Sequence, residues 1–254
     1  MRRPSGLNRS FAVLACLACL ALLSSCAGNP PSAEPTLISG PLQGSIAAGA
    51  YQDKRNWFSI GIPFRQEDIG YPYVRIEEVY PANISFVSFM ALNSPGEYYR
   101  VYAEDFFASN HLVPDMDHVA DAVLQVYGRQ LVAARSAPLH FLQEKPWRAG
   151  ATQGLIRLYT QKVPTEFLSL DLMQSPGLAE DYTAYILMYV TSENGKVAML
   201  WAEWPEDCSV CAPILAGAAA AAGADAIDRA LAQDARVTAF FDSFSYAAGA
   251  SAYQ

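Results

Sequence analysis

Apolar residues recur at every second position over much of this chain, and the exceptions fall into two helical stretches. In Trp57-Phe58-Ser59-Ile60-Gly61-Ile62-Pro63, Phe58, Ile60 and Ile62 share one face while small residues occupy the other, the pattern of a strand packed on one side. Val74 to Tyr80 and Ile84 to Leu92 predict the next two strands, Asn93-Ser94-Pro95-Gly96 a turn, and Tyr98 to Phe107 a tyrosine-rich fourth strand. After Pro114 the period changes. Val119, Val123, Tyr127 and Leu131 stand at helical spacing, with Asp115 or Asp117 placed to cap the first turn. Two hairpins follow, Leu139–Lys145 with Gly154–Val163 and Tyr182–Thr191 with Lys196–Trp204. The second is joined through Glu193-Asn194-Gly195, where Asn-Gly tolerates the positive φ that a tight hairpin needs. From Ala212 the chain is alanine-rich and then amphipathic, and Ile227, Leu231, Phe241 and Phe244 form one stripe, although Gly217 and Gly223 argue against a single unbroken helix. Strands, a helix, more strands and a closing helix predict an α+β fold. In it an antiparallel sheet is covered by a central and a C-terminal helix, in one domain over residues 51–246 with a short tail at 247–254. Phe58, Ile60, Val119, Val123 and Phe244 are expected in its core.

The first residues follow none of these periods. Arg2, Arg3 and Arg9 precede an uninterrupted apolar run from Phe11 to Leu23, and Leu23-Ser24-Ser25 leads directly into Cys26. That order resembles a bacterial lipoprotein signal, in which a diacylglyceryl group is joined to the cysteine sulfur and the chain is cut just before it. The run is shorter than the roughly 20 residues that span a bilayer, which weighs against a retained transmembrane helix. The reading divides the chain into a signal peptide (1–25), lipidated Cys26 with a tether rich in Pro, Gly, Ser and Ala (26–50), and the globular part. It places the protein in the cell envelope, held to the membrane by the Cys26 lipid and facing the periplasm or exterior. Ala27, rather than Asp, resembles the outer-membrane sorting pattern where a second membrane exists.

Charge narrows the partners. Loss of the three arginines leaves 14 basic against 25 acidic side chains, a formal charge of −11 compared with −8 for the whole chain. Nucleic acid is excluded, since phosphate contacts need a basic surface, and so is docking on anionic headgroups through the domain's own side chains.

Among candidate chemistries, Cys208-Ser209-Val210-Cys211 is the sharpest. With Cys16 and Cys19 removed with the signal and Cys26 acylated, these two thiols remain in an oxidising compartment. A Cys-x-x-Cys where a strand meets a helix is the geometry of thiol–disulfide exchange. Trp201-Ala202-Glu203-Trp204 is similar to the strand that leads into a thioredoxin active site. Pro205, Glu206 and Asp207 interrupt that likeness, the two acids raise a neighbouring thiol pKa, and too little chain follows for the rest of a thioredoxin fold. A structural Cys208–Cys211 disulfide, a redox pair, and metal-bound or unpaired thiols all stay open. His118 lies near Asp115, Asp117 and Asp121, but acids in a first helical turn are ordinary dipole chemistry, and His111 and His140 stand apart, so no metal site is expected. Gly-x-Ser-x-Gly and phosphate-loop motifs are absent. The tyrosines of Gly70-Tyr71-Pro72-Tyr73 and Tyr98-Tyr99-Arg100-Val101-Tyr102 suit either a stacking surface or half-buried strands. Glu104 and Asp105 are adjacent on a strand and point to opposite faces, so they form no acid/base pair.

Two phrases carry a family resemblance. Trp57-Phe58-Ser59-Ile60 early in the domain and Phe240-Phe241-Asp242-Ser243-Phe244 at its end, together with the element order, resemble the PsbP/DcrB-like domains found in many bacterial lipoproteins. The resemblance spans roughly residues 51–246 and implies an accessory, partner-binding role in the envelope. It supplies no catalytic residue. The sequence therefore predicts a lipid-anchored, non-enzymatic binding or assembly module without cofactor, meeting an envelope protein or else a small molecule or glycan. A thiol–disulfide protein using Cys208 and Cys211 is the alternative.

Overall fold

Alternating apolar residues build two sheets here rather than one. A computed structural model describes residues 36–37, 40–64, 73–91, 96–105, 118, 120–123, 125, 129, 132, 137–164, 181–205, 226–233 and 235–247. The strands are β1 (Thr36–Leu37), β2 (Ser45–Ala47), β3 (Ala50–Gln52), β4 (Phe58–Gly61), β5 (Tyr73–Val79), β6 (Ile84–Ala91), β7 (Tyr98–Asp105), β8 (Leu139–Ala149), β9 (Thr152–Pro164), β10 (Asp181–Glu193), β11 (Lys196–Pro205) and β12 (Ser245–Tyr246). Two eight-residue helices, α1 (Ala226–Gln233) and α2 (Ala235–Asp242), precede β12. The large sheet has the order β1-β5-β6-β7-β11-β10-β9-β8, antiparallel except for the two-residue pairing of β1 with β5. The small sheet has the order β12-β4-β3-β2.

The expected α+β class is overturned. The reading placed Trp57–Pro63 in the same sheet as the later strands, whereas β4 pairs with β3 and with the returning chain end, Ser245 opposite Ser59 and Tyr246 opposite Phe58. A second sheet therefore supplies much of the second layer, and the fold is mostly β rather than a helix-covered sheet. The long C-terminal stripe is also divided. Ile227 and Leu231 belong to α1, Phe240 and Phe241 to α2, and Phe244 lies past the end of α2.

One large cluster joins Tyr51, Phe58 and Ile60 of the small sheet to Phe89, Tyr99, Leu158, Leu187 and Leu200 of the large one and to Ile227, Val237, Phe240, Phe241 and Phe244. The opposite face of the large sheet carries Tyr102, Tyr159, Ile186, Met188, Met199 and Trp201, with Ala120 and Val123 packed among them. Helical backbone is described at 118, 120–123, 125, 129 and 132, within the predicted central helix. Phe58, Ile60, Val123 and Phe244 are buried as expected, and the Val119 side chain lies outside the described residues. Because both faces are covered, β10 and β11 read as nearly continuous apolar runs, and every residue of β11 is buried.

Turns follow the residues that permit them. Asn194 (φ 50°) and Gly195 (φ 77°) close the β10–β11 hairpin with Glu193 opposite Lys196. Gly150 (φ 54°) closes β8–β9, and a Cβ there would stand 2.6 Å from the Asp242 carbonyl oxygen. Its own N–H donates to Asp242 Oδ1 at 3.0 Å, which ties this hairpin to the end of α2. β8 forms the outer edge of the large sheet, with a bulge between Phe141 and Gln143 and a proline at 146, features that blunt an edge against further pairing. β1 and β2 fall inside the segment assigned to the tether, so ordered pairing begins ahead of residue 51.

Candidate functional site

Two polar assemblies stand out against this apolar framework. The first lies where the chain enters the domain. Val74, Ile76 and Glu78 alternate with outward residues along β5, so Glu78 occupies a position that the pattern reserves for an apolar side chain. Its carboxylate holds the segment before β2. Oε2 accepts the Gln43 N–H at 2.6 Å, while Oε1 accepts the Gly44 N–H at 2.8 Å and the Tyr51 hydroxyl at 2.6 Å. Tyr80 hydroxyl donates to the same Oε1 at 3.3 Å, and the two phenols lie 2.5 Å apart. Gly44 is required at this point, because a Cβ would fall 2.5 Å from the Tyr51 hydroxyl. Burial opposes charge on Glu78, but the donors from Tyr51, Gln43, Gly44 and Tyr80 outweigh it and hold the carboxyl below its ordinary pKa. Burial pushes Tyr51 up, and it pushes Tyr80 up to about 12.

The loop from β3 to β4 extends this cluster. Asp53 is buried and its Oδ2 accepts the Arg55 and Trp57 N–H groups at 3.0 and 3.2 Å. Burial raises its pKa against those hydrogen bonds, and both Asp53 Oδ1 and Ser85 Oγ are buried without a hydrogen bond of good geometry. Arg55 donates to the Pro81 and Ala82 carbonyls and lies over the Trp57 ring at 5.0 Å and the Tyr80 ring at 5.9 Å. Lys54 donates to Gln43 Oε1 at 2.6 Å. The arrangement is a clasp, and its chemistry is that of attachment.

Glu78→Gln should therefore weaken the clasp, because an amide offers one acceptor oxygen and turns an NH₂ toward donors. The expected cost is about 1–2 kcal/mol at neutral pH, with faster protease cleavage at residues 40–47 as the direct readout. Since the folded pKa of Glu78 is lowered, its contribution is present at neutral pH and is lost as the pH falls through that value. At the alkaline end Tyr51, Tyr80, Tyr159, Tyr189 and Tyr246 are all raised, mainly by burial. Unfolded tyrosine ionises near pH 10, so above about pH 10 the unfolded chain binds fewer protons and stability falls as pH rises. Urea midpoints between pH 8 and 11 check this; a constant midpoint across that range would contradict it.

The second assembly lies on the other face of the large sheet. Ser88, Arg100, Trp201, Met188 and Arg157 stand directly opposite one another on β6, β7, β11, β10 and β9 and share that face. Arg157 is paired with two carboxylates. Its Nε donates to Glu144 and its Nη1 to Asp121 at 2.9 Å. Burial lowers its pKa, but these acceptors and Tyr159 outweigh that and raise it. Arg100 lies over the Tyr98 ring at 4.6 Å and the Trp201 ring at 5.0 Å, and its Nη1 donates to Glu203 Oε2 at 2.9 Å. Glu203 is fully buried.

Few of the residues picked out by sequence enter these assemblies. Cys26, Cys208, Cys211 and His111 lie outside the described residues. His118 and His140 are exposed, and Asp121 pairs with Arg157 at 2.9 Å. Among the described residues no group of three or more His, Cys, Asp or Glu comes together. Tyr98, Tyr99 and Tyr102 are buried in the sheet, which removes them as a stacking platform. Sequence reasoning missed Glu78, Arg100 and Arg157. Each is a charged residue whose strand neighbours two places away are apolar or aromatic, and that interruption of the period was the available signal.

No protein-family model matches the chain, and no curated protein matches it. A solved structure that is similar is the solution structure of cyanobacterial PsbP (CyanoP) from Synechocystis sp. PCC 6803, at 13% identity and a TM-score of 0.32, covering 82% of this chain and 98% of that one. Likeness at that level supports no conclusion about what the chain does.

Proposed function

We propose that this chain is a cell-envelope lipoprotein, held to the membrane through Cys26, whose β domain is a non-enzymatic binding or assembly module. The observation that carries the reading is the order Arg2/Arg3/Arg9, Phe11–Leu23, Leu23-Ser24-Ser25-Cys26. Two others support it. The groups that burial and hydrogen bonding perturb most around Glu78 are occupied in fastening residues 43–44 to β5, where a membrane tether would deliver its pull. The phrases Trp57–Ile60 and Phe240–Phe244 resemble PsbP/DcrB-like domains, which implies an accessory role in the envelope. Crosslinking in intact cells, with the captured proteins identified, tests the reading. The expected result is a reproducible partner on the native chain that is lost or depleted for Cys26→Ser exported behind an ordinary cleavable signal in place of residues 1–25. Equal capture by both forms would remove the anchor from the function, and no reproducible partner would remove the module.

A further inference from the structure

The two arginines that share a row across the large sheet are used differently. Arg157 spends its guanidinium on two carboxylates, whereas Arg100 gives only Nη1 to Glu203 among the described residues. An arginine bonded end-on through Nη1 keeps its Nε–Nη2 edge, the side whose two parallel N–H groups match a carboxylate. The planes of Tyr98 and Trp201, 4.6 and 5.0 Å from the guanidinium, hold that fork in position, and the Arg100 side chain retains 19% exposure. Two further polar groups lie on the same face. Trp201 is 2% exposed and its Nε1–H has no hydrogen-bond partner. Ser88 lies directly opposite Arg100 and is 4% exposed. A buried N–H without an acceptor is costly, and native proteins retain such groups where something else supplies the acceptor. We infer that Ser88, Arg100 and Trp201 form a binding site for a carboxylate group, with Glu203 fixing the arginine and Tyr98 and Trp201 confining it.

Naming a ligand class in this way rests on the reading of the domain as a binding module, but not on the Cys26 anchor. Failure here would leave the crosslinking result standing, because a protein partner is read independently of this site. The probes are sodium acetate, N-acetylglutamate amide and its neutral isostere N-acetylglutamine amide, each titrated into ¹⁵N-labelled native chain while the indole N–H resonances of its 4 tryptophans are followed, with sodium chloride as the ionic control. The Trp201 signal should move saturably with a carboxylate and not with the glutamine amide or chloride. Saturation by acetate alone assigns small organic acids; saturation by the glutamate amide as well assigns an acidic peptide side chain. Arg100→Lys keeps a cation beside Glu203, so the fold survives while the fork is removed, and binding should weaken at least about tenfold. Ser88→Ala should weaken it by a smaller factor. Equal movement with chloride or the neutral amide, no saturation, or full affinity in Arg100→Lys would each overturn the inference.

Discussion

Cys26→Ser, exported behind an ordinary cleavable signal in place of residues 1–25, should transfer the protein from the membrane pellet to the soluble fraction of the envelope. A serine hydroxyl cannot form the thioether, so no acyl group is attached, and residues 1–25 are replaced because their removal depends on that acylation and a retained Phe11–Leu23 run would act as a second anchor. Buried lipid contributes about 0.8 kcal/mol per CH₂, and a pair of acyl chains gives stable attachment where one chain gives only marginal binding. Nothing in the domain's charge replaces that contribution, because 14 basic against 25 acidic side chains repel an anionic leaflet. Fractionation followed by immunoblotting reads the outcome, and circular dichroism of the released chain should match the native spectrum. Retention of the variant in the membrane at native levels would show that the polypeptide itself holds the bilayer.

Phe240→Ala should produce the largest loss of stability among single substitutions in the core. The ring is 1% exposed and meets Tyr99 edge-on at 5.1 Å, Phe89 at 6.2 Å and Phe241 at 5.8 Å, so it joins α2 to β6 and β7 through one cluster. Removing it loses the transfer free energy of the ring and leaves a cavity that three large neighbours fill poorly, a cost of about 3–5 kcal/mol. For a folded unit of this size each kcal/mol lowers Tm by about 2–4 °C, so a fall on the order of 10 °C is expected in calorimetry. Phe141→Ala is the matched control. Phe141 is 57% exposed on the edge strand β8, and its loss should change stability by about 0.5 kcal/mol or less. Comparable losses at the two positions would contradict the assignment of Phe240 to the core.

Strands were legible because a period of two is a local property. The alternation at Phe58, Ile60 and Ile62, the runs from Val74 and Ile84, and the Asn194-Gly195 turn all appear where the pattern put them. Sheet membership is not local. Ser245 and Tyr246 return to pair with β4 across nearly the whole domain, and no feature of a seven-residue window around Phe58 says which strand lies beside it. The same reason explains why an α+β order was inferred from what is a two-sheet β architecture. The C-terminal stripe misled differently, since Ile227, Leu231, Phe241 and Phe244 fit one helical face on paper while the chain divides them between two short helices and a turn. Glu78 and Arg100 went unread because a charge at an apolar-parity position looks like noise until its partners are known. For Glu78 those partners, Gln43 and Gly44, lie 35 and 34 residues away, and for Arg100 the partner Glu203 lies 103 residues away.

The mass of the mature N-terminus tests the central claim most directly. Protein extracted from membranes in detergent and digested should yield an N-terminal peptide that begins at Cys26 and carries a diacylglyceryl group on sulfur. A chain that retains residues 1–25, or that begins at Cys26 with an unmodified thiol, would contradict the account.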